Sequence, residues 1–130
     1  MNQLLAQLNR RLERRGEAIA LRRRTQASST TSFVDVTVPA IIQALTREQL
    51  IGGISQQNFF LIISPTHINR AQWPGGRAPA AGGRLITPTD PRIPVVNDQV
   101  IFRGRVTGIQ RVAPVFDSGE CIRIELSVIG

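Results

Sequence analysis

Residues Asn97–Gly130 read NDQVIFRGRVTGIQRVAPVFDSGECIRIELSVIG, and the alternation within them decides the class of fold. From Glu120 to Ile129, Ile122, Ile124, Leu126 and Val128 fall on one side of an extended chain. Cys121, Arg123, Glu125 and Ser127 fall on the other. A period of two marks a half-buried strand, since successive side chains point to opposite faces. Gln99 to Phe102 and Arg105 to Ala113 read as two further strands, with Gly104 as a turn or bulge between them. Asp117-Ser118-Gly119 closes the second hairpin, and Asn97-Asp98 forms a turn ahead of the first strand.

Working outward, Phe59 to Ile63 is a short continuous apolar run, expected to be a strand buried on both faces. Ser64-Pro65 has the N-cap and N1 residues of a short helix that carries His67 and Ile68 and finishes near Trp73-Pro74. Glu17 to Thr25 alternates again, with Ile19 and Leu21 opposite Ala18, Ala20 and Arg22, and ends in Arg22-Arg23-Arg24. A polar link at Gln26 to Ser32, expected to be mobile, leads to a second strand, Phe33 to Leu45. There Val34, Val36, Val38 and Ala40 share a face, and Pro39, lacking an N–H, requires an edge or a bend. Thr46-Arg-Glu-Gln49 has capping-box spacing and predicts a helical turn before Gly52-Gly53. The chain begins with an amphipathic helix at residues 2–15, with Met1, Leu4, Leu8 and Leu12 on one stripe and Leu5 beside them. Arg10 and Arg14 lie opposite the stripe, Arg11 and Arg15 flank it, and Gly16 is the stop. Residues 75–94 have repeated Gly and Pro breaks and no periodicity, and are read as a long exposed loop.

About six strands with short connections predict one domain over residues 1–130, mainly β. The expected architecture is a small antiparallel barrel or sandwich with an N-terminal helix and a short internal helix. The barrel is preferred, because closure removes edges from so small a sheet.

The chain carries sixteen basic residues, all arginine, against nine acidic ones, for a net charge of +7. Such an excess attracts a polyanion, either nucleic acid or an acidic protein surface. Cys121 is the only cysteine, which excludes an intrachain disulfide and a cysteine-ligated zinc. His67 is the only histidine and is expected at the surface or in a capping role. Asp90, Asp98, Asp117 and Glu120 sit in loops or at strand ends, where acidic residues ordinarily occur. The Gly-Gly-Arg triplets at 75–77 and 82–84 lack the strand–turn–helix setting and the Lys-Ser/Thr pair of a phosphate-cradling loop. The expectation is therefore no catalytic residue, no cofactor and no metal. With no apolar run near 18 residues and no apolar signal core, synthesis and use in the cytosol are expected, with no membrane partner.

Three segments together resemble a known family: RRGEAIALRR (Arg14–Arg23), REQLIGGISQQNFFLIISPTHINRAQWP (Arg47–Pro74) and the Asn97–Gly130 stretch. They are similar to the small head–tail joining, or head-closure, connector proteins of tailed bacteriophages. The resemblance implies a virion structural protein of the neck, assembled in the host cytoplasm as a six- or twelve-fold homo-oligomeric ring through which DNA passes. Its implied partners are a portal or adaptor protein on the head side and a tail terminator or other tail component on the other. Residues 75–94 depart from the short link expected there, which makes Arg77, Arg84, Leu85 and Ile86 candidates for contact with a neighbouring subunit. Arg10, Arg11, Arg14, Arg15, Arg22, Arg23 and Arg24 are the candidates for the DNA channel or for acidic partner patches. Contact with genomic DNA would be non-specific, through phosphates. The competing expectation is a free, basic, oligonucleotide-binding-like barrel, against which stands the thin spread of aromatic residues for base stacking.

Overall fold

A computed structural model describes residues 3–27, 30–44, 49–51, 54–71, 73 and 92–130, with the backbone alone at 25–27, 30–31, 49–51 and 54–56. In chain order the elements are helix α1 (Gln3–Arg15), strands β1 (Glu17–Ala27), β2 (Thr30–Ala44), β3 (Gln49–Ile51), β4 (Ile54–Gln56) and β5 (Asn58–Ile63), helix α2 (Pro65–Arg70), and strands β6 (Gln99–Phe102), β7 (Arg105–Asp117) and β8 (Glu120–Ile129). Six strands close into an antiparallel barrel in the order β1-β2-β5-β8-β7-β6, while β3 and β4 pair only with each other. Closure is made by β1, which pairs with β2 along its length and with β6 at Ala20, Leu21 and Arg22. The barrel, not the sandwich, is the architecture.

Its interior is filled by the inward positions that alternation picks out. Ile19 and Leu21 of β1, Val36, Val38 and Ala40 of β2, and Phe59, Leu61 and Ile63 of β5 are buried together with Val100, Ile124, Leu126 and Val128. Each branched aliphatic so buried contributes about 1.5–3 kcal/mol. Phe59 and Phe102 meet edge to face at 5.1 Å between ring centroids, an arrangement favoured by the ring quadrupole. The β6–β7 and β7–β8 hairpins turn on Arg103-Gly104 and Ser118-Gly119, where all four residues have positive φ (52°, 72°, 53° and 77°). This is the two-residue geometry whose twist matches that of the flanking strands, and it explains a glycine at the second position.

Several expectations are corrected. The polar link at residues 26–32 is mostly strand: β1 and β2 continue as a ladder through Thr25–Ser32, Gln26–Thr31 and Ala27–Thr30. Backbone pairing carries a hairpin whose side chains are polar, so low apolar content was a poor sign of a break. Gln49 belongs to a strand rather than a helical turn, with Ile51 paired to Ile54. Three residues cannot repay helix nucleation, and β-branched isoleucines favour the ladder; Thr46, Arg47 and Glu48 lie outside the described residues. In β5, burial alternates instead of being continuous: Phe60 and Ile62 are half-buried. In β8 the inward row is broken by a bulge: Arg123 pairs with Val115 and Cys121 with Phe116, so Ile122 is the extra residue. The bulge turns Cys121 into the core at 1% exposure, and Ile122 leaves the barrel interior for the side facing α1. Of the loop expected at 75–94, residues 75–91 lie outside the described residues, and so do Arg77, Arg84, Leu85 and Ile86. Its end is not exposed: Arg92, Ile93 and Pro94 are buried.

Candidate functional site

Helix α1 is held on the barrel by its apolar side and by one polar link. Leu5 and Leu12, seven residues and two turns apart, are buried, whereas Leu4 is 49% exposed. The buried stripe therefore centres on Leu5 and Leu12, about one position round from the stripe expected through Leu4. Asn9, within that stripe, donates to Thr66 Oγ1 at 3.0 Å and accepts from Ser64 Oγ at 2.5 Å. Ser64 caps α2 as the sequence predicts, accepting from Thr66 N at 3.2 Å, with Pro65 in the first turn. One serine thus terminates β5, starts α2 and holds α1. Gly16 ends α1 by donating to Leu12 O at 2.8 Å. A Cβ at that position would clash with Leu12 O and come within 2.8 Å of the Pro39 side chain. Pro39 in turn sits one residue beyond the β2–β5 pairing, which begins at Ala40.

This seating brings Arg10, Arg11, Arg14 and Arg15 together. With Gln7 they line one shallow concavity of about 350 Å³. All four are exposed and none has an ion-pair partner among the described residues. The cluster offers guanidinium forks suited to phosphate or carboxylate oxygens.

Arg22, Arg23 and Arg24 have three different fates. Arg22 points outward, grips Asp35 with two bonds of 2.9 Å, and lies 5.0 Å from the Phe33 ring. Each partner favours the charged form of the other, so Asp35 is lowered and Arg22 raised from their ordinary values, mainly by that hydrogen-bonded pairing. Arg23 points inward, on the same row as Ile19 and Leu21. It donates to Asp98 at 2.8 and 3.1 Å and to Ile93 O at 3.2 Å, and its guanidinium stacks 4.5 Å over Trp73. Trp73 is 2% exposed and donates its indole N–H to Val34 O at 2.9 Å. Asp98, 3% exposed, also accepts from Val95 N at 2.9 Å. Arg23 is therefore part of an internal clamp tying the extended β1–β2 ladder to the segment before β6, and is not available to a channel. Arg24 is exposed, with no ion pair among the described residues.

Sequence reasoning missed Asp98, Asp35 and Trp73 as partners of this run. The alternation that put Ile19 and Leu21 inside also puts Arg23 inside, and a buried arginine demands a carboxylate. That signal was present; which carboxylate answers it was not.

The remaining polar groups are accounted for chemically. The buried Cys121 thiol is pushed up to about 11 by desolvation, so it is protonated at neutral pH and a poor nucleophile. His67 is half-buried, and burial holds its pKa below the ordinary value, with Arg70 adding to the effect and Glu13 opposing it. Its Nδ1 is buried without a hydrogen-bond partner among the described residues, which argues against the capping role. Among the described residues no three His, Cys, Asp or Glu side chains group as a metal site. No described helix is long and apolar enough to cross a membrane.

The fold and surface thus define a closed, six-stranded antiparallel barrel carrying a basic N-terminal helix. Comparison with known proteins returns no matching family model and no matching curated protein.

Proposed function

We propose that this protein is a structural connector of a phage or phage-like particle, joining head and tail as a ring below the portal through which DNA passes. The observation that carries the reading is the exposed arginine face of α1, four guanidiniums without a carboxylate partner among the described residues, mounted on a closed barrel. Closure leaves the barrel few free edges, so assembly would proceed through side-chain surfaces and not by adding strands. Copies that each carry +7 and pass a polyanion through their centre share one large favourable field. At physiological salt, screening within about 8 Å keeps the hold on DNA loose and independent of sequence. Portal or adaptor protein would sit on one side and tail components on the other.

A second reading, a free basic barrel that binds nucleic acid, is favoured by one feature: Phe33 is 54% exposed beside Arg22, a surface on which a base can stack. Sedimentation of the purified protein, alone and with the products of neighbouring genes, separates the two. The connector reading expects a ring or a co-sedimenting complex. A persistent monomer that binds DNA with steeply salt-dependent affinity rejects it.

A further inference from the structure

Adjoining the basic concavity, and sharing Gln7 and Arg11 with it, lies a second depression of different character. Leu4 and Leu8 of α1 form one wall, and Ile62 of β5 and Ile122 of β8 form the floor, in a groove of about 280 Å³. Arg11 and Arg123 stand at its rim, both exposed. The bulge in β8 creates this groove: without the extra residue Ile122 would point into the barrel, and Cys121 would take its place outside. The bulge re-aims this apolar side chain, 8% exposed, out of the barrel and toward α1, where it can form the base of a contact.

We propose that this groove docks an acidic amphipathic segment of a partner protein, its apolar side chains on Leu4, Leu8, Ile62 and Ile122 and its carboxylates on Arg11 and Arg123. The inference deepens the connector reading by assigning the chemistry of one partner, and its test does not require a ring. The apolar lining argues against DNA, because the four aliphatic side chains of wall and floor give nothing to a phosphate, whereas an apolar stripe at helical spacing fits such a groove. Charge argues against a second copy. The chain carries +7, and four of its nine acidic residues, Asp35, Asp98, Glu17 and Glu125, are already held by Arg22, Arg23, Arg103 and Arg123 respectively. A carboxylate arriving at Arg123 would share it with Glu125, 3.0 Å away, so Arg11, which has no ion-pair partner among the described residues, carries more of the attraction.

The probe is a fluorescein-labelled peptide with leucines at i, i+4 and i+7 and glutamates on both flanks, titrated with the full chain and followed by anisotropy. Two control probes are a peptide of the same charge with its leucines replaced by serine, and a short duplex DNA. The proposal expects the leucine peptide alone to bind in a way that depends on Leu4. Leu4→Ser and Arg11→Glu should each weaken it about tenfold or more, while Phe33→Ser, on the β1–β2 ladder, leaves it unchanged. Leu4 and Arg11 are exposed, so neither variant removes core packing. Equal binding of the serine peptide, or loss of duplex binding in Arg11→Glu with no effect of Leu4→Ser, overturns it in favour of a general polyanion site. Self-association of the chain that disappears in Leu4→Ser overturns it in favour of a second copy.

Discussion

Two arginine clusters that look alike in sequence become opposites in space. RRLERR at Arg10–Arg15 and RRR at Arg22–Arg24 are both dense runs of positive charge. On a helix, residues one and four apart stay within one sector of the surface, so Arg10, Arg11, Arg14 and Arg15 converge on a single concavity. On a strand, neighbours alternate, so Arg22 goes out to Asp35, Arg23 goes in to Asp98, and Arg24 goes out to solvent. The helix gathers its charge on the exposed surface, whereas the strand commits its middle arginine to the fold.

The difference can be broken most forcefully at the clamp. Asp98→Ala would strand Arg23, whose side chain is 17% exposed, against Trp73 without its carboxylate. Breaking one side of such a pair should cost about 3 kcal/mol or more, read as a lowered midpoint in urea unfolding. Arg22→Gln, which breaks an exposed pair, should barely move that midpoint. If the two variants matched, the contrast between inward and outward arginines would be lost.

Trp73→Phe probes the same clamp more gently. It removes the indole donor to Val34 O and part of the cation–π surface, for an expected loss of about 1–2 kcal/mol by the same measurement.

At the seat of α1, His67 supplies a pH dependence. Its folded-state pKa lies below the ordinary 6.5, so the unfolded chain binds the proton more readily. The stabilisation is complete above 6.5 and falls away as pH drops below it. His67→Gln should flatten that part of the stability profile measured by thermal unfolding across pH 5 to 7, a smaller effect than either clamp variant. Loss of stability at still lower pH belongs to Glu17 and Asp35. Both are depressed by arginine partners and give up their contribution as pH falls through their folded-state values, beneath the ordinary 4.5 and 3.8.

The smallest effect on folding is expected at the proposed binding surface. Replacing Arg10, Arg11, Arg14 and Arg15 with Gln should change stability by no more than about 0.5 kcal/mol per site, because their side chains are exposed. Removing like-charge pairs at i,i+4 works slightly in favour of the helix. If these residues meet DNA, the salt dependence of duplex binding should fall by about one unit of slope per phosphate contact removed.

How much of this was legible follows from how local each feature is. The inward rows of β1 and β2, the Ser64-Pro65 start of α2 and the two glycine-bearing turns depend on neighbours within a few residues, and all were readable. The bulge that exchanges Cys121 and Ile122 was not. A bulge is a mismatch between two strands, and nothing inside Glu120–Ile129 records that Val115 and Phe116 across the ladder face a strand one residue longer. For the candidate surface, the helix arginines were found, but their gathering on one side was not. The seat of α1 depends on Asn9 meeting Ser64 and Thr66, more than fifty residues away.

By itself, the order of residues determined the β-rich class, the basic charge, the short internal helix and the inward faces of β1 and β2, because side-chain direction in an unbulged strand follows directly from backbone period. Only the tertiary structure decided that the sheet closes through β1 and β6, that Arg23 belongs to Asp98 and Trp73, and that an apolar groove opens beside α1. Those outcomes depend on residues distant in the chain competing for the same partners, and that competition is resolved only when the barrel packs.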